Sequence, residues 1–509
     1  MNASTQTDRP AGERSLRSEA RLIRRGIAWN AVGTTLSKAC SILAKLILAR
    51  LLLPEHFGFV SMVIVFTSLT KVIADLGFRL ALIQRRCGRQ TKDLYDSAFW
   101  LLLVAAVLML AVMWVVGVPL ISWFYGEPRL GPVALALSSV VIFQNLQVVP
   151  EARLARISRF KQLAYADIAG MVVGYTAAIL LAMSGAGVWS LVTQTLVTAA
   201  LTSALTFAYA GWRPSFHFDR ALVAELLSFS KFIVGSRLLI SLQQNLDYLL
   251  IGKLVGAQAV GIYSIAFLLT ETLRAQAYWL VSKAVYPFYS RASARQDDVR
   301  TVYLATMRYL SLAVFPAATL LLFFAPDLIP FAFTSKWSGA VQPVQILSLA
   351  SMIVASGGTP SEVLRGIGRP DVDYRINLWV SLGVAVPLLY AGTLWLGIVG
   401  TALAVATHSL VARLSYATAL HRLLGLSAAE QFESLRPALL GSAAIAIVPL
   451  LLGPGNWVLE LLLAAAAYAA VTLPTVLPHL RAMSWSWRGG RGAPVRGGSA
   501  STVSSRGGG

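Results

Sequence analysis

Charged residues stand inside long apolar runs of this sequence. Burying charge in such a run is costly, and a charge retained there marks a ligand site or a transport path by default. Asn30, Thr34, Lys38, Ser41 and Lys45 follow one another at steps of 4, 4, 3 and 4, so they share one helix face. Arg237, Ser241, Gln244 and Tyr248 do the same later in the chain. Lys71 and Asp75 are four apart, and Glu271 and Arg274 three apart, spacings at which opposite charges on a helix neutralise each other. Lys38 lies eleven residues past Ile27, about 16 Å of helix, beyond the reach of a lysine that snorkels to the interface. No acid shares its helix, so Lys38 reads as a functional cation. Arg50 and Lys253 sit at the ends of apolar runs and read as snorkelling cations, and Arg79 and Lys45 carry the same reading beside any functional one. Asp75, Asp247 and Glu271 read first as salt-bridge partners, with proton or sodium coupling as the sharper alternative. Asp167 reads as interfacial, and Arg413 and Glu460 have no explanation in the sequence.

The elements that position these groups follow from composition. Of 509 residues, 56% are hydrophobic and 13% charged, about half the charge usual in a soluble domain. Mean hydropathy is +0.67. A water-soluble enzyme could not hide so much apolar surface, and a disordered chain would not carry it. Fourteen apolar runs, from 27–51 to 457–478, are long enough to cross a bilayer, the thirteenth (437–452) being the shortest. The expected fold class is an all-α polytopic membrane protein of about 14 transmembrane helices. Turns at Gly185-Ala186-Gly187 and at Gly397 imply tight antiparallel hairpins.

Placement of the basic residues predicts sidedness. With the N-terminus in the cytoplasm, 30 of the 43 Lys and Arg fall in cytoplasmic segments, and two, Arg129 and Lys336, fall in external loops. Both termini are therefore expected in the cytoplasm. This placement also argues against nucleic acid as the partner of a chain with net charge +20. Residues 1–26 read as a basic cytoplasmic tail rather than a cleaved signal peptide, and 481–509 as a disordered basic tail that touches lipid head groups. Cys40 and Cys87 form no disulfide framework, and five His with no CxxC or HExxH predict no metal site and no cofactor.

The chain also repeats itself. Residues 46–61 and 249–264 match at an offset of 203, which pairs Arg50 with Lys253, Gly58 with Gly261 and Ser61 with Ser264. A second echo at offset 210 pairs Pro150, Leu154, Ile157 and Arg159 with Pro360, Leu364, Ile367 and Arg369. These predict six-helix halves at 27–210 and 230–419, a cytoplasmic linker at 211–229, and two extra helices within 420–480. Six is even, so the halves share orientation, as in transporters with parallel repeats. The uneven charge falls on the first two helices of each half. Four polar faces, two per half, imply a water-filled cavity between the halves.

Several stretches carry a family resemblance: Leu48-Ala49-Arg50-Leu51-Leu52-Leu53-Pro54-Glu55-His56-Phe57-Gly58, Asp75-Leu76-Gly77-Phe78 with Ile83-Gln84-Arg85, Ala98-Phe99-Trp100, Gly187-Val188-Trp189-Ser190-Leu191-Val192, Gly261-Ile262-Tyr263-Ser264 and Gly366-Ile367-Gly368-Arg369-Pro370. Over roughly residues 20–480 the sequence resembles the polysaccharide transport family, the Wzx-type flippases, and most of all its colanic-acid and exopolysaccharide exporters. The resemblance implies a bacterial inner-membrane flippase that moves undecaprenyl-diphosphate-linked oligosaccharide by alternating access and supplies a polysaccharide polymerase or copolymerase. A diphosphate needs cations, and Lys38, Lys45 and Arg237 are the candidates by position. Gln243, Gln244, Asn245 and Tyr248 could face the sugar. Lys71, Asp75, Asp247, Glu271 and Arg274 are candidates for cavity ion pairs or ion coupling. The alternative is a cation-coupled multidrug exporter of the same superfamily, which would want an acidic cavity. No nucleophile motif, phosphate loop or large external loop points to an enzyme.

Overall fold

The computed structural model describes residues 37, 38, 40–78, 82, 91–292, 296–452 and 455–489. Asn30, Thr34, Arg79, Cys87, the Ile83-Gln84-Arg85 match, most of the N-terminal tail with the first half of the first apolar run, and the distal C-terminal tail lie outside the described residues.

Those residues are almost wholly helical, with no strand among them. Helix α1 covers the helical positions 37, 38 and 40–51. Leu53, before a proline, is extended (φ −86°, ψ 153°), and Pro54 opens α2 (Pro54–Asp75) at the position where its missing N–H costs least. Next, α3 (Thr91–Val112) continues through a π-helical turn, Met113–Gly117, into Val118–Tyr125. Then come α4 (Leu130–Arg156), α5 (Phe160–Met183), α6 (Val188–Ala210), α7 (Arg220–Leu254), α8 (Ala257–Ala292) and α9 (Gln296–Phe333). A 3-10 turn, Ser335–Ala340, leads into α10 (Val341–Ala355). The stretch Pro370–Leu424 breaks at Gly397, whose φ of 58° and ψ of −137° no helix accommodates, into α11 before it and α12 after it. The hairpin expected at Gly397 is therefore present. Finally α13 (Ala428–Leu452) and α14 (Trp457–Gly489) lie against α9 and each other.

Ten helical stretches among the described residues are long and apolar enough to cross a membrane, with Pro370–Leu424 counted as one. The expected fourteen crossings are not reached by that measure. It leaves out α1, described only over its second part, and α7 and α8, which carry Arg237, Asp247, Glu271 and Arg274.

Without a hydrophobic drive between helices in lipid, close backbone approach through small residues does the packing. The seam between α2 and α8 is the clearest case. A Cβ on Gly58 would lie 1.8 Å from the carbonyl oxygen of Ala257, and one on Gly261 1.8 Å from that of Pro54. The contact is reciprocal to the residue at an offset of 203. The largest buried cluster spans the same seam, with Leu48, Met62 and Val63 on one side and Ile251, Tyr263 and Trp337 on the other.

Candidate functional site

A cavity of about 530 Å³ opens beside the seam. Its first wall is α1, which presents Lys38, Ser41 and Lys45 at steps of three and four residues. Ser41 Oγ and the Tyr175 hydroxyl of α5 hydrogen-bond at 2.8 Å, which fixes this face against its neighbour. Among the described residues neither lysine has a hydrogen-bonding or ionic partner.

The facing wall is α8, with Ser264, Glu271 and Thr272, joined by Tyr248 of α7. Glu271 is already engaged: Arg274 Nε donates to its Oε2 at 2.9 Å and Nη2 to its Oε1 at 2.6 Å, a fork that closes within one helix turn. Asp247 lies one layer behind Tyr248. It is buried, and it accepts hydrogen bonds from the Tyr263 hydroxyl at 3.1 Å and from the Tyr248 backbone N–H at 2.9 Å.

Arg237 does not join the lysines, contrary to expectation. Its Nη1 donates to Asp75 Oδ2 at 2.9 Å, linking α7 to α2 away from the cavity lining. The i, i+4 spacing suggested Lys71 for Asp75, but Lys71 sits on the exposed side of α2, and Arg237 reaches the carboxylate from another helix. The amides proposed to face a sugar are also placed elsewhere. Gln243 Nε2 donates to Ser381 Oγ at 2.5 Å, Asn245 Nδ2 returns to the Ser241 carbonyl of its own helix, and Gln244 is exposed. Of that group Tyr248 alone lines the cavity, and the polar lining comes instead from Tyr175, Gln194, Thr195, Ser61 and Ser264. Sequence reading paired Ser61 with Ser264 without placing them at a site. Tyr175, Gln194 and Thr195 carried no signal, being uncharged residues in runs read as apolar.

The stray charges have structural partners. Arg413 Nη2 donates to Gln431 Oε1 at 2.8 Å, tying α12 to α13. Glu460 Oε1 accepts the Gly455 N–H at 3.2 Å beside the start of α14. Asp167 is exposed. On the turn after α3, Arg129 Nε donates to Glu127 Oε1 at 2.8 Å and holds that carboxyl below its ordinary pKa.

The lipopolysaccharide biosynthesis protein WzxC of Escherichia coli K12 is 22% identical over 439 residues, covering 83% of this chain and 87% of its own. The succinoglycan biosynthesis transport protein ExoT of Rhizobium meliloti is 25% identical over 363 residues, or 69% of this chain and 71% of its own. Among solved structures, the lipid II flippase MurJ in an inward closed conformation superposes with a TM-score of 0.73 at 13% identity, over 89% of this chain and 99% of that one. That likeness establishes the fold. Residues 47–342, more than half of the sequence and the segment that holds the seam and most of the cavity, match the family described as polysaccharide biosynthesis protein, and the chain belongs to that family.

Proposed function

We propose that this protein is a flippase for undecaprenyl-diphosphate-linked oligosaccharide in the bacterial inner membrane, working by alternating access between the halves 27–210 and 230–419. The observation that carries the reading is the pair of lysines, Lys38 and Lys45, without a partner among the described residues, on the cavity wall of a polysaccharide biosynthesis family member. A diphosphate cannot enter a bilayer uncompensated, and two ammonium groups supply the charge-assisted donors it needs. Tyr175, Gln194, Thr195 and Tyr248 offer hydroxyl and amide groups to the sugars, while the prenyl chain stays in lipid. Arg237, committed to Asp75, is not part of the anion site. The names of WzxC, ExoT and MurJ, which concern lipopolysaccharide, succinoglycan transport and lipid II, support the substrate class.

In this reading the chain crosses the membrane fourteen times with both termini in the cytoplasm, as the basic-residue count favours. The ends of α1 and α7 then face outward, and the flipped units pass to a polymerase there. The test is deletion of the gene in its native host, with secreted polymer and the lipid-linked units of each leaflet quantified. Loss of polymer with units trapped on the cytoplasmic face is the expected result. Unchanged polymer in a host without a redundant exporter would leave the cation-coupled drug exporter as the better reading.

A further inference from the structure

We infer that Arg50 and Lys253 are a matched pair of bolts on the outer gate, positioning residues whose bonds to the opposite half hold the cavity shut on the outside. The inference rests on the alternating-access reading above. Arg50, in the last turn of α1, donates from Nε to the Ala332 carbonyl at 2.8 Å and from Nη2 to the Phe331 carbonyl at 2.7 Å. Those carbonyls belong to the last turn of α9. Lys253, in the last turn of α7, donates to the Phe124 carbonyl, at the end of α3, and its ammonium stands 5.1 Å from the Phe124 ring centroid. Arg50 and Lys253 are 203 residues apart, and their acceptors 207 and 208 apart. The same contact has thus been built twice, once from each half into the other.

The chemistry suits a latch. The last carbonyls of a helix lack intrahelical donors and carry the negative end of the helix dipole, so a cation that caps them gains hydrogen bonds and charge complementarity together. A snorkelling cation would give its donors to water or lipid head groups. These two give them to the far half, a partner available only while the halves are together at this end. Further bonds return the favour at α1. Lys336 Nζ donates to the Arg50 carbonyl at 2.7 Å, and the buried Trp337 Nε1 donates to the Ala49 carbonyl at 2.8 Å. At the same level the Gly58 and Gly261 contacts leave no gap between α2 and α8. Toward the opposite end α2 is tied instead to α7 of the other half, by Asp75–Arg237 and a 3.3 Å Ser68–Ser241 bond. Rocking the halves apart at the outer end breaks both bolts, so each biases the equilibrium toward the outward-closed state.

The test reads that equilibrium without substrate. Ser61 lines the cavity, so a cysteine placed there (Ser61→Cys, with Cys40→Ala and Cys87→Ala) reports access from either side to a membrane-impermeant maleimide. Arg50→Ala and Lys253→Ala are each expected to raise labelling from outside about tenfold and to lower labelling from the cytoplasmic side, whereas Arg50→Lys, which keeps a cation on those carbonyls, should leave labelling near the parent level. A rise in only one of the two, or unchanged labelling in an inserted double variant, overturns the proposal. A second measurement covers variants that insert poorly. A reducible cross-link between Arg50→Cys and Ala332→Cys should stop export until reductant is added, and export that continues through the cross-link overturns the gate. Labelling can shift whether or not lipid-linked oligosaccharide is the cargo, so failure of the gate and failure of the flippase reading give different results.

Discussion

At matched positions of the repeat the two walls of the cavity hold different chemistry. Ser61 and Ser264 both face the cavity, and Gly58 and Gly261 both meet a carbonyl across the seam. Yet Lys38 stands where the second half has Ser241, Lys45 where it has Tyr248, and Ser68 where it has Glu271. Small residues persist where backbones touch, because any side chain there would collide with an oxygen. Positions without such a contact have diverged: Lys38, Lys45, Tyr248 and Glu271 line the cavity, while Ser68 and Ser241 bond to each other at 3.3 Å. The result is a polarised cavity, with two cations on the α1 wall that no described residue engages and an acid already satisfied by Arg274 on the α8 wall.

The largest effect that could break this comparison is loss of the α1 cations. A hydrogen bond to a charged group is worth about 1.5–3 kcal/mol, so Lys38→Ala and Lys45→Ala should each lower transport kcat/KM by about tenfold to a hundredfold. Ser241→Ala, at the matched position of the other half, should change it by about fivefold or less, since a neutral hydrogen bond is worth about 1 kcal/mol. The readout is the rate at which lipid-linked units reach the outer leaflet of vesicles with matched protein content. Moving the charge sharpens the point. Tyr248→Lys in a Lys45→Ala background should not recover transport, because the buried Asp247 carboxylate beside it would neutralise the new ammonium. Full recovery would mean that only total cavity charge matters and that the polarity of the walls does not.

This contrast also marks what the sequence could show. Periodicity within one helix was legible, so spacing alone gave away the α1 face with Lys38, Ser41 and Lys45 and the Glu271–Arg274 fork. Self-similarity placed Gly58 opposite Gly261 in the alignment, and the helical hairpin at Gly397 followed from one residue. Partners from distant helices were not legible. Asp75 was matched to Lys71 by local spacing, whereas a residue 162 positions away supplies its guanidinium. Arg413 found Gln431 and Ser356, and the polar lining came from α5 and α6, because tertiary proximity leaves no trace in spacing. Arg50 and Lys253 read as snorkelling cations because a sequence gives no sign of which carbonyls lie across a seam.

The seam comes next in size. Gly58→Ala and Gly261→Ala should each destabilise the detergent-solubilised protein by about 2 kcal/mol or more, since the obstacle is backbone oxygen rather than a movable side chain. The two losses should be similar, since each added methyl meets a backbone carbonyl oxygen at 1.8 Å, and the double variant should depart from additivity because a Cβ on Gly261 also approaches the Gly58 nitrogen at 3.2 Å. Thermal unfolding of both variants checks this, and a loss in one alone would show that the reciprocity of the contact is only apparent.

The smallest effect separates the two ion pairs. Glu271–Arg274 closes within α8, so breaking it leaves the relation of the halves unchanged. Asp75–Arg237 joins α2 to α7 at 2.9 Å, and the second Asp75 oxygen is buried without a donor, so Arg237 is what holds that carboxylate in place. The Arg237 side chain is 39% exposed, which limits a single pair of this kind to about 0.5–1 kcal/mol, or a twofold to fivefold shift in the equilibrium between closed and open halves. Arg237→Gln should therefore raise cytoplasmic labelling of a cavity cysteine by that factor, and exchanging the charges through Asp75→Arg with Arg237→Asp should return it toward the original value. Glu271→Gln should leave the same labelling unchanged while altering the cavity wall. If Glu271→Gln shifted the labelling as much as Arg237→Gln, the distinction between a pair that spans the halves and one confined to a single wall would not hold.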